Sequence, residues 1–257
     1  MVAFALWFQA CLGLYAQDDS APKVPPSPPE AFAAAAKKAC REARTRYETA
    51  RHSAETAWQF GRACFNLADY ATNHTERAEI SQQGIAACRE AIASKSNSAP
   101  AHYYLAANLG QLARTKHMGA LNMVDQIQTE FRIARSLDES YDYAGPDRGL
   151  GLLYRDAPSV ISIGNRGKAR QHLEHAVELA PQFPENRLNL LETYLKWGER
   201  GNARKELVAL QNLWQEARAM FAGEAWAPSW ADWEPRLKKA RKKIEDPPKA
   251  LETPRHG

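Results

Sequence analysis

The chain has 257 residues, a formal net charge of +4, and a composition rich in Ala, Leu, Glu, Lys and Arg. That length can bury a substantial core in one or two domains, and the near absence of alternating Val/Ile/Thr runs excludes a sheet-based architecture. The modest charge excludes a nucleic-acid-binding surface, since the dense basic run "RLKKARKK" at 236–243 reads as a solvated helix face.

Residues 2–16, "VAFALWFQACLGLYA", form an uncharged apolar run too short and too poorly flanked for a membrane span. They suit the apolar region of a signal peptide over 1–16 that ends near Ala16, which predicts export to the periplasm. Cys11 is the alternative, as a lipid-anchoring cysteine, although Phe8 and Gln9 fit a lipobox poorly. Residues 17–29 are rich in proline and small polar residues and read as an extended linker. A helical domain is predicted over 30–245, followed by a disordered tail over 246–257.

Beyond Glu30 the apolar spacing is helical, and the helices come in pairs. A leading helix to about Arg51 precedes a first pair in which Phe60, Gly61 and Cys64 face Gly84, Cys88 and Ala91. The second pair sets Tyr103, Ala106 and Ala107 against Ile127, Phe131 and Ala134, with "TKHMGALNMVDQ" inserted between them. The third opens with "YDYAGPDRGLGLLYRDAP", whose glycines resemble a phosphate-binding loop. A P-loop needs Lys-Ser/Thr after its last glycine, and a dinucleotide fingerprint needs a preceding strand; neither is present. Leu150, Gly151 and Tyr154 instead fit the L-G-x2-Y of a tetratricopeptide (TPR) helix A, with Pro146 in its first turn. Ala169, Leu173, Ala176 and Pro181 fill the matching helix B. The fourth pair is the most regular, with Arg187, Leu190, Leu191 and Tyr194 before Ala203, Leu207 and Leu210. A closing helix is expected from Ser229 or Asp232, with Pro235 in its first turn and Trp226, Trp230 and Trp233 covering the last apolar edge. The fold class is all-α: a TPR-like helical-hairpin solenoid of about four helix pairs plus capping helices.

Catalytic signatures are thin: H-E-x-x-H, G-x-S-x-G and Cys-x-x-Cys are absent, so the chain reads as no enzyme and calls for no cofactor. His172 and His175, in "HLEH", have no third metal ligand nearby and read as solvent-facing. Solenoids of this kind bind along the concave face of their A helices. The repeat register puts Trp58, Arg62, Phe65, Tyr104, Asn108, Gln111, Arg148, Leu152, Arg155, Leu188 and Glu192 on that face, where aromatics beside arginines suit a partner peptide or an apolar ligand with an acidic head. "SVISIG" at 159–164 is an apolar loop that either folds over the core or meets a partner. Cys64 and Cys88 occupy facing slots of one pair, which suits either a disulfide or buried free thiols.

The segments "YYLAANLGQLARTKHMGAL", "YDYAGPDRGLGLLYRDAP" and "KARQHLEHAVELAPQFPENRLNLLETYLKWG" resemble the T component of TRAP transporter systems, the TatT family, over about residues 55–220. That resemblance implies an exported TPR-like protein, often a lipoprotein and oligomeric, that partners the periplasmic substrate-binding component and holds a small hydrophobic ligand. A general envelope TPR adaptor that binds only proteins is the alternative.

Overall fold

The computed structural model describes residues 28–50, 53–116, 121–158 and 162–246. The segment expected to be a signal peptide, with Cys11, the expected linker up to residue 27, Val160, Ile161 and the residues beyond 246 lie outside the described residues.

Among the described residues ten α-helices follow one another: α1 (Pro28–Thr49), α2 (Ala54–Ala68), α3 (His74–Ser94), α4 (Ala99–Ala113), α5 (Leu121–Leu137), α6 (Tyr141–Asp156), α7 (Arg166–Leu179), α8 (Pro184–Lys196), α9 (Arg200–Met220) and α10 (Ala227–Glu245). Local chemistry sets the starts. Ser53, Asn73, Ser98 and Asn165 each accept the N–H three residues ahead, satisfying an orphan donor of the first turn. At α3 the cap is reciprocal, because the Glu76 carboxylate accepts the Thr72 N–H at 2.8 Å while Asn73 accepts the Glu76 N–H at 2.9 Å.

The helices stack as α2/α3, α4/α5, α6/α7 and α8/α9 hairpins, each leaning on the next, with α1 against α2 and α10 against α8 and α9. This is the TPR-like solenoid, and α10 takes the place that the first helix of a fifth pair would occupy. Small residues allow the close approach within hairpins. A Cβ at Gly151 would stand 2.6 Å from the Leu173 side chain, so α6 and α7 touch there only because the residue is glycine.

The C-terminal cap differs from expectation in its start. A short 3-10 turn at Glu224–Trp226 feeds directly into α10 at Ala227, with Pro228 in the first turn. Pro235 therefore lies inside the helix, where it leaves the carbonyl of the exposed Ala231 to solvent. The tryptophan cover is as expected in place: Trp233 is fully buried and packs edge-on to Phe183 at 5.5 Å and Trp230 at 5.0 Å.

Candidate functional site

The Gly/Pro-rich stretch of α6 organises the centre of the solenoid. Asp142, Tyr143 and Ala144 adopt three consecutive left-handed conformations (φ 52°, 56° and 62°), so the regular helix begins only at Gly145 and Pro146. Such a run is costly for residues with a Cβ, at roughly 1 kcal/mol or more each. Arg148 supports it from within. Its guanidinium donates to the Asp142 carbonyl at 3.2 Å, the Tyr143 carbonyl at 3.2 Å, the Asp142 carboxylate at 2.7 Å, Asn186 Oδ1 at 3.0 Å and the Tyr103 hydroxyl at 3.2 Å. It also lies over the Phe183 ring. Burial works against its charge, but Tyr103, Asp142 and Glu185 more than offset this and hold its pKa above the ordinary arginine value. Arg148 thus joins α4, α6 and α8 as an internal tie. The expectation that it points into an open groove is corrected: the left-handed turn exposes carbonyls inward, and the arginine is drawn in to satisfy them.

The other residues expected on the concave face divide in two. Trp58 and Phe65 are half-buried and Arg62 is exposed on α2. The Trp58 and Tyr104 rings stack with centroids 6.1 Å apart and nearly parallel planes, Phe65 leans on Tyr104 at 6.2 Å, and Tyr141 meets Tyr104 edge-on at 6.2 Å. These rings make a continuous aromatic strip across α2, α4 and the start of α6. Tyr104 itself is buried at its base, and burial pushes its hydroxyl pKa up. Leu152 is half-buried further along α6, against the C-terminal core, and Arg155 turns to the Asp156 carboxylate at 2.6 Å and to Thr193 Oγ1 at 3.2 Å.

Four expected face residues serve packing instead. Asn108 is fully buried and donates to the Gly61 carbonyl at 2.9 Å and the Tyr104 carbonyl at 2.7 Å, tying α4 to α2. Gln111 is buried with its amide on Asp69 at 2.6 Å, and Leu188 has no exposed surface. Glu192 accepts from Arg236 of α10 at 2.9 Å, and Arg236 also engages Glu185 at 3.0 Å and Asn189 at 2.8 Å. The shared cause is the close stacking of neighbouring A helices, which buries positions that a projection of one repeat leaves open.

A second polar centre lies between α5 and α7, with α6 as its floor, in a groove of about 810 Å³. Asp147 is fully buried there and accepts from His172 Nδ1 at 2.6 Å, Arg135 Nε at 2.8 Å and His175 Nδ1 at 3.1 Å. Burial raises the cost of its charge, but these three hydrogen bonds overrule it and hold its pKa below the ordinary carboxylate value. The two histidines are thus correctly placed on one helix face but are not simply solvent-facing, since an acceptor on the neighbouring helix claims both rings. Two imidazoles one turn apart are the sequence signal for such a shared acceptor; Asp147 and Arg135 carry none of their own. No group of three or more metal-ligating side chains is found among the described residues.

The cysteines follow the second of the two expectations, buried thiols, rather than a Cys64–Cys88 disulfide. Cys40, Cys64 and Cys88 are all buried free thiols. Cys64 shares a core cluster with Cys40, Ala43, Phe60 and Ala87, whereas Cys88 packs in the neighbouring cluster with Ile85 and Tyr103. The facing slot of the hairpin is taken by Gly61, not Cys64: a Cβ at Gly61 would collide with the Cys88 sulfur.

A family model described as Regulator of microtubule dynamics protein 1-3 matches residues 30–144, from α1 to the start of α6. No curated protein matches the sequence significantly. Among solved structures, the chain is similar to the crystal structure of MamA, with a TM-score of 0.50 and 16% identity over 77% of this chain and 100% of that one. It is also similar to TTC0263, a thermophilic TPR protein of Thermus thermophilus, with a TM-score of 0.51 and 18% identity over 80% of this chain and 99% of that one. At such identity these likenesses show the fold alone, a TPR-like helical solenoid.

Proposed function

We propose that the protein is a scaffold that receives an extended segment of a partner protein along the aromatic strip of α2, α4 and α6. The observation that carries this reading is the strip itself: Trp58 stacked on Tyr104, flanked by Phe65 and Tyr141, beside Arg62, which is exposed and has no ion-pair partner among the described residues. Large rings offer contact area at little entropic cost, and an uncommitted guanidinium selects an acidic side chain or a terminal carboxylate.

The partner class proposed is the substrate-binding component of a TRAP-type transport system, and the location proposed is the periplasm; the resemblance to the T component and the apolar run at 2–16 support both. A small hydrophobic ligand belongs to the same reading. The cleft of about 370 Å³ between α3 and α5, with Ile85, Leu109, Leu112 and Met123 in its wall, has the chemistry for one.

The test is a photo-crosslinking residue at position 66, exposed on α2 one turn beyond Arg62, in the exported protein, followed by identification of the adduct. Crosslinks to a substrate-binding component that vanish in Trp58→Ala support the proposal. Crosslinks to other envelope proteins favour the general adaptor, and no adduct at this position argues for another surface. Organic extraction of the purified protein and mass spectrometry test the ligand separately.

A further inference from the structure

We propose that Cys40 and Cys64 form a disulfide that fastens the leading helix α1 to α2 when the protein meets a thiol–disulfide oxidant. The two residues lie on adjacent helices that pack against each other, inside one buried cluster with Ala43, Phe60 and Ala87. The small alanines let the helices approach, and both thiols are buried within that cluster as interacting neighbours. Bond formation needs them to close to about 2.05 Å. The third thiol, Cys88, reaches α2 at Gly61, one turn before Cys64, so it is the competing partner that the peptide map must distinguish.

The pair is asymmetric in the way a two-step exchange requires. The hydrogen bond from Cys64 brings the Cys40 thiol down to about 7; burial opposes this, and Arg44, one turn along α1 and lying over the Phe60 ring, assists it. The Cys64 thiol is held up by the same hydrogen bond and by burial. Cys40, which sits on the leading helix and keeps 5% of its surface against none for Cys64, is therefore the attacking sulfur and Cys64 the resolving one. Access comes from the edge position of α1, which packs chiefly on α2 and exposes Cys40 when the two part.

With oxidised glutathione as oxidant, the Cys40 thiolate attacks one sulfur, the glutathione S–S bond breaks, and one glutathione thiolate leaves. The Cys64 sulfur then attacks the Cys40 sulfur of the mixed disulfide while its proton passes to the second departing glutathione. Two protein thiols are oxidised, and one disulfide is reduced to two glutathione thiols.

The experiment exposes the folded, reduced full chain to oxidised glutathione, then denatures, alkylates and maps it by peptide mass spectrometry. The expected result is the loss of two alkylatable thiols per chain and a crosslinked peptide carrying Cys40 and Cys64. Cys88→Ser should give the same crosslink, and Cys64→Ser should stop at a glutathione adduct on Cys40. Hydrogen exchange over residues 28–49 should slow in the oxidised wild type, a readout that does not depend on either variant folding. An unchanged thiol count, a crosslink from Cys64 to Cys88, or unaltered exchange in α1 overturns the proposal.

Discussion

Arg148 Nη2 stands 2.7 Å from Asp142 Oδ2, and through this pair α6 holds its own left-handed first turn in place. Asp142 is the first of the three left-handed residues, so the ion pair anchors the turn where its strain begins. The same guanidinium reaches Asn186 on α8 and Tyr103 on α4. Replacing it unbinds three helices together.

Arg148→Ala is therefore expected to destabilise the fold by about 3–5 kcal/mol, the range for breaking a buried charged network from one side. Arg148→Lys recovers little, because one ammonium cannot span five acceptors on three helices. Urea unfolding followed by circular dichroism measures both. A change below about 1 kcal/mol in Arg148→Ala would show that the turn stands without it.

Two glycines in equivalent helices make a matched test of hairpin packing. Gly151→Leu is expected to cost about 1–3 kcal/mol by overpacking against Leu173, since even a Cβ there would sit 2.6 Å from that side chain. A Cβ at Gly110 meets nothing within 4 Å, so Gly110→Ala is expected to stabilise α4 by about 0.5–1 kcal/mol. Thermal melts of the two variants should shift in opposite directions.

The Asp147 centre predicts an acid-sensitive contribution to stability. Its carboxyl is held below the ordinary value by His172, Arg135 and His175 against the opposing effect of burial. A depressed folded-state value means that the stabilisation is complete above the unfolded carboxyl's pKa, about 3.9, and is lost as pH falls through the lower folded value. Asp147→Asn should cost about 2 kcal/mol at pH 7, and the gap to wild type in urea midpoint should narrow toward pH 3. A gap of constant size would show that the charge of Asp147 is not what the three donors stabilise.

The aromatic strip separates binding from stability. Trp58→Ala and Arg62→Ala are expected to weaken partner binding about tenfold or more, with far-ultraviolet circular dichroism unchanged, because both side chains reach the surface. Tyr104→Ala is expected to cost about 3–5 kcal/mol of stability, since that ring forms the buried base of the strip. Calorimetry with the crosslinked partner, set beside urea melts, tells the two classes apart.

Much of the fold was legible in local sequence. The helix pairs followed from apolar period, the tight hairpin contact from Gly151, and the aromatic cover from Trp226, Trp230 and Trp233. These features depend on residues within one hairpin or its immediate neighbour, where spacing along the chain fixes which side chains meet. The start of α10 was missed because Pro228 and the 3-10 turn before it supply an entry that no side-chain cap announces.

The candidate sites were legible only in part. Repeat register assigned Trp58, Arg62 and Phe65 to the A-helix face, and all three keep exposed surface. It could not tell that Asn108, Gln111 and Leu188 are covered, because that depends on how closely one hairpin leans on the next. Nor could it pair Asp147 with two histidines 25 and 28 residues away, or place Cys64 in one buried cluster with Cys40 of the leading helix. A repeat's sequence encodes its own periodicity, whereas the rotation and distance between stacked repeats arise from side chains far apart in the chain meeting in three dimensions, and those contacts decide which polar groups are buried and who satisfies them.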